Sequence, residues 1–400
     1  MSGRRNAIIP LLSNAESYFD FFDGLINETS EKLEKRQLPG GLLKSYLLET
    51  VGDSNSISSF IKIVERSELS CEPIGSDGRI FRVTDSSRQG IAVIERIGNR
   101  YLSFYTLLPS SESDRLVRKA VAANPMIDHL WLSSQSFHAL WNHVRSTNSG
   151  KRYGKITFEH ESIYDFPDDE LEDGEPSHFE DEKRASRFTM VDRLDVIEAQ
   201  MEPLRETYAP LASITHLRIP AAARGGHDLY YDGKVTNRSD SFLDHRATLL
   251  NVVDMYKRLT ATVEEKLWTS SSTTGGGDFV LNNAVAELVF SQPLSEDTFR
   301  RWVISLFNNR RNRFRISGFH TWLSDRKVHA NAIDQHLWQP IILEMTNERL
   351  IAVLPEGTCG NTINRLVSNI QRFVDPKVRA YIGDSEYSTL VPIGGQAKVG

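Results

Sequence analysis

The stretch from Gln339 to Asp384 constrains the fold of this chain more than any other. Pro340-Ile-Ile-Leu-Glu-Met and Leu350-Ile-Ala-Val-Leu are short runs of branched apolar residues, parted by the polar Thr346-Asn-Glu-Arg349. Runs of that kind predict two adjacent buried strands joined as a hairpin. Gly357 and Gly360 then interrupt the pattern, after which Ile363, Leu366, Val367, Ile370, Phe373 and Val374 recur at the spacing of one helix face. Asp375-Pro376 ends the helix, because the proline ring disfavours helical geometry in the residue before it, and Val378–Ile382 is a third strand.

The same strand-strand-helix-strand order recurs at Gln89 to Ser133, where Ile91–Ile94 and Tyr101–Leu107 flank Gly98-Asn99 and Asn124-Pro125 stands at the same joint. A weaker copy starts near Lys155, with strands at Ile156–Tyr164 and Arg187–Val191, a helix carrying Leu194, Ile197, Met201, Leu204 and Tyr208, and a last strand at Ser213–Ile219. These modules predict an α/β chain of the α+β kind with an internal repeat. Upstream of the first stretch, a strand at Val285–Phe290, a helix carrying Phe299, Trp302, Val303, Leu306 and Phe307, and a strand at Phe314–Phe319 complete a C-terminal ferredoxin-like sandwich. An extra strand or hairpin is expected around Lys327–Ile333. The N-terminus reads as helical: Ser13-Asn-Ala-Glu16 has the form of a capping box, Phe19, Phe22, Leu25 and Ile26 make one face, and a shorter helical stretch is expected around Leu42–Leu48.

A chain of 400 residues predicts two or three domains. Polar and flexible joints place the boundaries: helices plus a first α/β module in 1–150, a central module in 151–268, a linker at 269–283 built on Thr269–Gly277, and the ferredoxin-like module in 284–400. No apolar run reaches the roughly 18 to 20 residues of a membrane span, and Ile8–Leu12 is too short for a signal peptide, so a cytoplasmic protein with no membrane contact is expected. Cys71 and Cys359 are the only two cysteines and have no ligand-spaced neighbours, which argues against a disulfide framework or a cysteine-based zinc site; no metal or cofactor is expected. The central module carries an acidic loop, Asp165–Glu182, with ten carboxylates and no lysine or arginine, so the net charge of −6 conceals a mildly basic remainder.

Two basic segments are the candidate sites. Arg300, Arg301, Arg310, Arg311, Arg313, Arg315, Arg326 and Lys327 stand against the single acid Asp325, interleaved with Phe314, Phe319, His320 and Trp322. Guanidinium groups grip phosphates in bidentate fashion and aromatics on a strand stack bases, so these arginines, Lys327 and Trp322 are the expected nucleic-acid contacts. His216, Arg218, Arg224, His227, Lys234, Arg238, His245 and Arg246 cluster around Gly225-Gly226 and the turn Asp232-Gly233, as a second, anion-binding set. The expectation is a non-enzymatic nucleic-acid-binding subunit of a larger complex. The alternatives are a protein-binding scaffold or adaptor, and a hydrolase of nucleotides or nucleic acid acting through His216, His227 and His245.

Overall fold

The computed structural model describes residues 9–35, 41–50, 56–85, 87–161, 185–273, 279–307 and 313–392. They form two compact units, the first drawn from the chain up to Leu130 and from Arg218–Asp254, the second from Trp131–Leu217 and Met255–Gly394. The acidic stretch from Asp165 to Glu182 lies outside the described residues. The fold is mixed α and β, and among the described residues its sheets are antiparallel, apart from a short parallel contact. Among the described residues no helix is long and apolar enough to cross a membrane.

The first unit opens with α1 (Ala15–Glu34), β1 (Lys44–Thr50), α2 (Ile57–Glu65), β2 (Ser70–Ile74), β3 (Ile80–Thr84), β4 (Gly90–Ile97), β5 (Tyr101–Thr106), α3 (Ser110–Ala123) and β6 (Ile127–His129). The chain continues through α4 (Ser134–Thr147), β7 (Tyr153–Glu161), β8 (Ala185–Arg193), α5 (Leu194–Thr207) and β9 (Ile214–Pro220). It then adds β10 (Gly226–Tyr230), β11 (Lys234–Asn237) and the long α6 (Phe242–Leu267). The strands β2-β3-β4-β5-β1-β11-β10 lie in that order, and β6 joins the C-terminal half of β1, next to the stretch held by β11. Side chains of α2 and α3, among them Phe60, Val64, Val117 and Val121, pack with Tyr46, Leu48, Ile94 and Phe104 in one core. On the other side, Phe22 of α1 and Phe242 of α6 flank Tyr105 at ring distances of 5.7 and 5.4 Å.

Two expectations are corrected here. The stretch Leu42–Leu48 is not helical: Lys44–Thr50 is a central strand buried along its whole length, and burial on both faces erases the alternation that would have marked it as a strand. The first helix is capped by Asn14, whose Oδ1 accepts from the backbone N–H of Ser17 at 2.8 Å, and not by Ser13.

The second unit adds β12 (Trp268–Thr273), β13 (Phe279–Asn282), β14 (Ala286–Val289), α7 (Glu296–Leu306), β15 (Ile316–Ser324), β16 (Lys327–Asp334), β17 (Gln339–Thr346), β18 (Arg349–Pro355), α8 (Asn361–Phe373), β19 (Arg379–Ile382), β20 (Ser385–Glu386) and α9 (Tyr387–Leu390). The strand order is β15-β16-β17-β18-β14-β19-β20, antiparallel throughout. β12 pairs with β13, and its first residues run parallel to the end of β18. Strands β16 to β18 alternate strictly, with Val328, Ala330, Ala332, Leu343, Met345, Leu350 and Ala352 on the buried face. Both α7 and α8 meet that face: Phe299 sets its ring edge on Trp322 at 5.8 Å, and Arg365 reaches Asp334.

Helix α8 is buried on all sides. Ile363, Leu366, Val367 and Ile370 are fully enclosed, each worth about 1.5–3 kcal/mol relative to exposure. Its polar side chains find partners, as burial demands. Asn364 Nδ2 donates to Thr260 Oγ1 at 3.3 Å, Ser368 Oγ donates to Leu132 O at 3.1 Å, and Gln371 Oε1 accepts from the Ser134 N–H at 2.9 Å.

Candidate functional site

In the first unit, the β10–β11 hairpin and the start of α6 bury His227, Lys234 and His245, leave Arg218 and Arg246 half-buried and Arg238 exposed, and set Arg218, Lys234, Arg238 and Arg246 each against an acid. Asp228 on β10 accepts from Arg218 Nε at 2.7 Å and from Arg238 Nε at 2.5 Å. Glu95 on β4, almost fully buried, accepts from Arg246 Nη2 at 2.7 Å, Arg79 Nη2 at 2.8 Å and the Tyr105 hydroxyl at 2.9 Å. Burial, and then the charge of Glu95, push the Tyr105 phenol well above its ordinary pKa. Lys234 is paired with Asp114 at 2.6 Å, and Arg224 is exposed.

His227 and His245 meet in a chain of contacts. Ser45 Oγ lies 2.7 Å from His245 Nε2, His245 Nδ1 lies 3.2 Å from His227 Nδ1, and His227 Nε2 lies 3.2 Å from Asp244 Oδ2. With Asp244 ionised and both rings neutral, one proton arrangement satisfies all three: the Ser45 hydroxyl donates to His245, His245 donates to His227, and His227 donates to the carboxylate. Asp244 also accepts from the Ala222 N–H at 2.9 Å. A hydroxyl donating to an imidazole lone pair is the arrangement that activates a nucleophile, yet Ser45, His227 and His245 are completely buried. Burial, reinforced by His227, drives the His245 pKa well below its ordinary value. His216 belongs to the second unit, where its Nδ1 lies 3.3 Å from Thr157 Oγ1.

The arginine segment of the second unit is dispersed into ion pairs. Arg301 pairs with Asp297 one turn earlier at 2.7 Å, Arg326 with Glu296 at 2.6 Å and Lys327 with Glu344 at 3.1 Å. Arg313 contacts Glu161 at 3.2 Å and lies 4.2 Å from the centre of the Phe373 ring, while Arg315 is buried. Arg300 is exposed on α7, and Arg310 and Arg311 lie outside the described residues. A neighbouring group was not singled out in the sequence: Glu159 accepts from Arg372 at 2.8 Å and Arg187 at 3.0 Å. Burial raises the Glu159 pKa, but Arg372 and Arg187 outweigh it and hold the carboxyl below its usual range. Also unforeseen is the fully buried pair of Arg365 and Asp334, 2.5 Å apart, with Thr362 donating to the same carboxylate.

What the second unit does present is the face of its sheet opposite α7 and α8. Phe319 is 90% exposed, Ile342 49% and Ile333 40%. Strand register lines up Phe319, Asn331, Ile342 and Val353 in one row across β15 to β18, beside the row Ser317, Ile333, Pro340. Trp338, 60% exposed, stands at the β16–β17 turn, where Leu337 and Trp338 both have positive φ, of 67° and 54°. Bulky side chains rarely adopt that geometry, and such strain gathers at functional surfaces. Charges on this face cancel in pairs: Glu344 with Lys327 and His329, Arg349 with Glu287, Arg379 with Glu386. The parity of β15 was the available signal, since Ser317, Phe319 and Thr321 share one face while His320 and Trp322 share the other.

A family model described as MJECL33-like protein matches residues 11–389. The chain belongs to that family. Over 388 residues it is 24% identical to a protein of Methanocaldococcus jannaschii named "Uncharacterized protein MJECL33", a match that covers 90% of this chain and 88% of that one. No solved structure matches this member of the MJECL33-like family.

Proposed function

We propose that the protein is a non-enzymatic scaffold or adaptor that docks a protein partner on the uncovered sheet face of its second unit. The observation that carries the reading is the set of exposed apolar side chains Phe319, Ile333 and Ile342, which lie in adjacent rows on either side of the polar Asn331, on a face whose charges are already paired. Contiguous exposed apolar surface rimmed by polar groups marks interaction sites, and a charge-neutral face favours a protein over a polyanion. The ferredoxin-like reading supports it further. The order β17-β18-β14-β19, with α7 following β14 and α8 preceding β19, supports a split βαβ sandwich with β15 and β16 added at one edge. The first unit has the same order, β4-β5-β1 with β6 on β1, α2 after β1, α3 before β6 and β2 and β3 at the edge, which supports an internal repeat. In the first unit Tyr105, on the face away from α2 and α3, packs against α1 and α6.

A photo-activatable residue in place of Ile342 tests the docking role. The expected result is a covalent adduct with a different protein, lost in Ile333→Asp and Trp338→Ala but kept in Arg300→Ala; no adduct beyond the chain's own copies overturns it. A nucleic-acid role is the second reading, favoured by Phe319, Tyr381, Arg349 and Arg379 on one face, with the Arg379 guanidinium 5.3 Å from the Tyr381 ring centre. On that reading, replacing Arg310, Arg311 and Arg313 together by alanine reduces the slope of log affinity against log salt by up to roughly 2 to 3 units. Its test is titration with single- and double-stranded DNA and RNA at several salt concentrations, and no binding at low salt ends it.

A further inference from the structure

We propose that two copies of this chain join edge to edge through β15, with Phe319 on the twofold axis. This goes beyond docking on the sheet face, because it concerns the rim of the same sheet, and either can fail while the other stands. β15 ends the strand order, and among the described residues its one strand neighbour is β16. A strand at a sheet edge offers a row of backbone donors and acceptors to any other chain. Natural sheets guard such edges with charges, proline or short length. Ile316–Ser324 has none of these: it is nine residues long and contains no Asp, Glu, Lys, Arg or Pro. Charged residues resume immediately after it, at Asp325, Arg326 and Lys327.

The geometry selects a second copy as the occupant. Pairing of β15 with β16 is regular from Ile316 to Trp322 and shifts register between Trp322 and Ser324, so the straight template is Ile316–Trp322, centred on Phe319. An antiparallel match of this segment with itself sets Ser317 opposite Thr321 of the other copy, Gly318 opposite His320, and Phe319 opposite its own symmetry mate. Side chains directly opposite across an antiparallel pair touch, and aromatic pairs there are favourable. Phe319, at 90% the most exposed large apolar side chain among the described residues, thereby gains a partner ring. An isologous contact must be self-complementary, and an uncharged strand meets its copy without like-charge repulsion.

Sedimentation of the full chain over a range of concentrations tests the proposal, together with two variants that charge the facing positions. The wild type is expected to be a dimer. S317K/T321K and S317E/T321E are each expected to be monomers, because identical charges then face one another, and an equimolar mixture is expected to restore the dimer. A wild type that stays monomeric, charge variants that stay dimeric, or a mixture that fails to reassociate each overturns the proposal. Should circular dichroism find either variant unfolded, Phe319→Cys decides. Mild oxidation is expected to give a covalent dimer that the wild type, with Cys71 and Cys359 alone, does not form, and absence of that cross-link overturns the proposal. The adduct formed from position 342 judges the docking face separately.

Discussion

Arg365 and Asp334 are both fully buried, so each charge depends on the other. Removing one member of such a pair leaves an uncompensated ion, at a cost on the order of 3–5 kcal/mol. Arg365→Leu is therefore expected to lower the urea midpoint sharply, and adding Asp334→Asn is expected to recover part of the loss. The His245 ring gives a prediction with a defined sign. Its pKa is depressed in the folded chain, so below about pH 6.5 the unfolded state binds the extra proton and stability falls as pH falls. The limiting slope for one such group is about 1.4 kcal/mol per pH unit. Urea titrations at pH 7 and pH 5 are expected to show the loss in the wild type and a smaller one in His245→Gln, and equal losses would clear His245 of the effect.

Among the elements, β15 contains a position that tolerates only glycine. Gly318 has φ +149°, and a Cβ there would stand 2.5 Å from the Asn331 carbonyl oxygen and 2.7 Å from the Ala332 Cα, both backbone atoms. Gly318→Ala is expected to cost about 1–3 kcal/mol through forced separation of β15 from β16, read as a shift in melting midpoint with Phe319→Ala as the control. Elements of this kind were legible where periodicity survived burial: β17, β18, α8 and β19 follow Gln339–Ile382 as the pattern of apolar residues predicts. Periodicity failed for β1, whose two buried faces read as a short apolar helix. The sites were less legible, because pairing partners are remote in sequence. Arg313 meets Glu161, 152 positions away, and Arg372 meets Glu159, 213 away, so a segment that looks uniformly basic is largely neutralised in space. Arg218 and Arg238 each stand ten positions from Asp228, close enough for the hairpin register to have suggested the pairing.

At the scale of the whole chain, neither unit is one continuous segment: the chain passes from one to the other after Leu130, Leu217 and Asp254, the last within α6. The helix gives Phe242 and His245 to the first unit and Leu259, Val263 and Leu267 to the second. A proline inside a helix costs about 3 kcal/mol or more. Asp254→Pro is thus expected to raise amide exchange in both units, and a rise confined to one would mean that the two halves of α6 act separately. The interrupted course of the first unit also sets a schedule for synthesis. Ser45 leaves the ribosome 200 residues before His245, the imidazole that accepts its hydroxyl proton. At 5–20 residues per second that is a delay of about 10–40 s. For nearly all of it β1 lacks β11, which ends at Asn237, and the nascent first unit must be kept from pairing its open strand with other chains until its closing segment has been made.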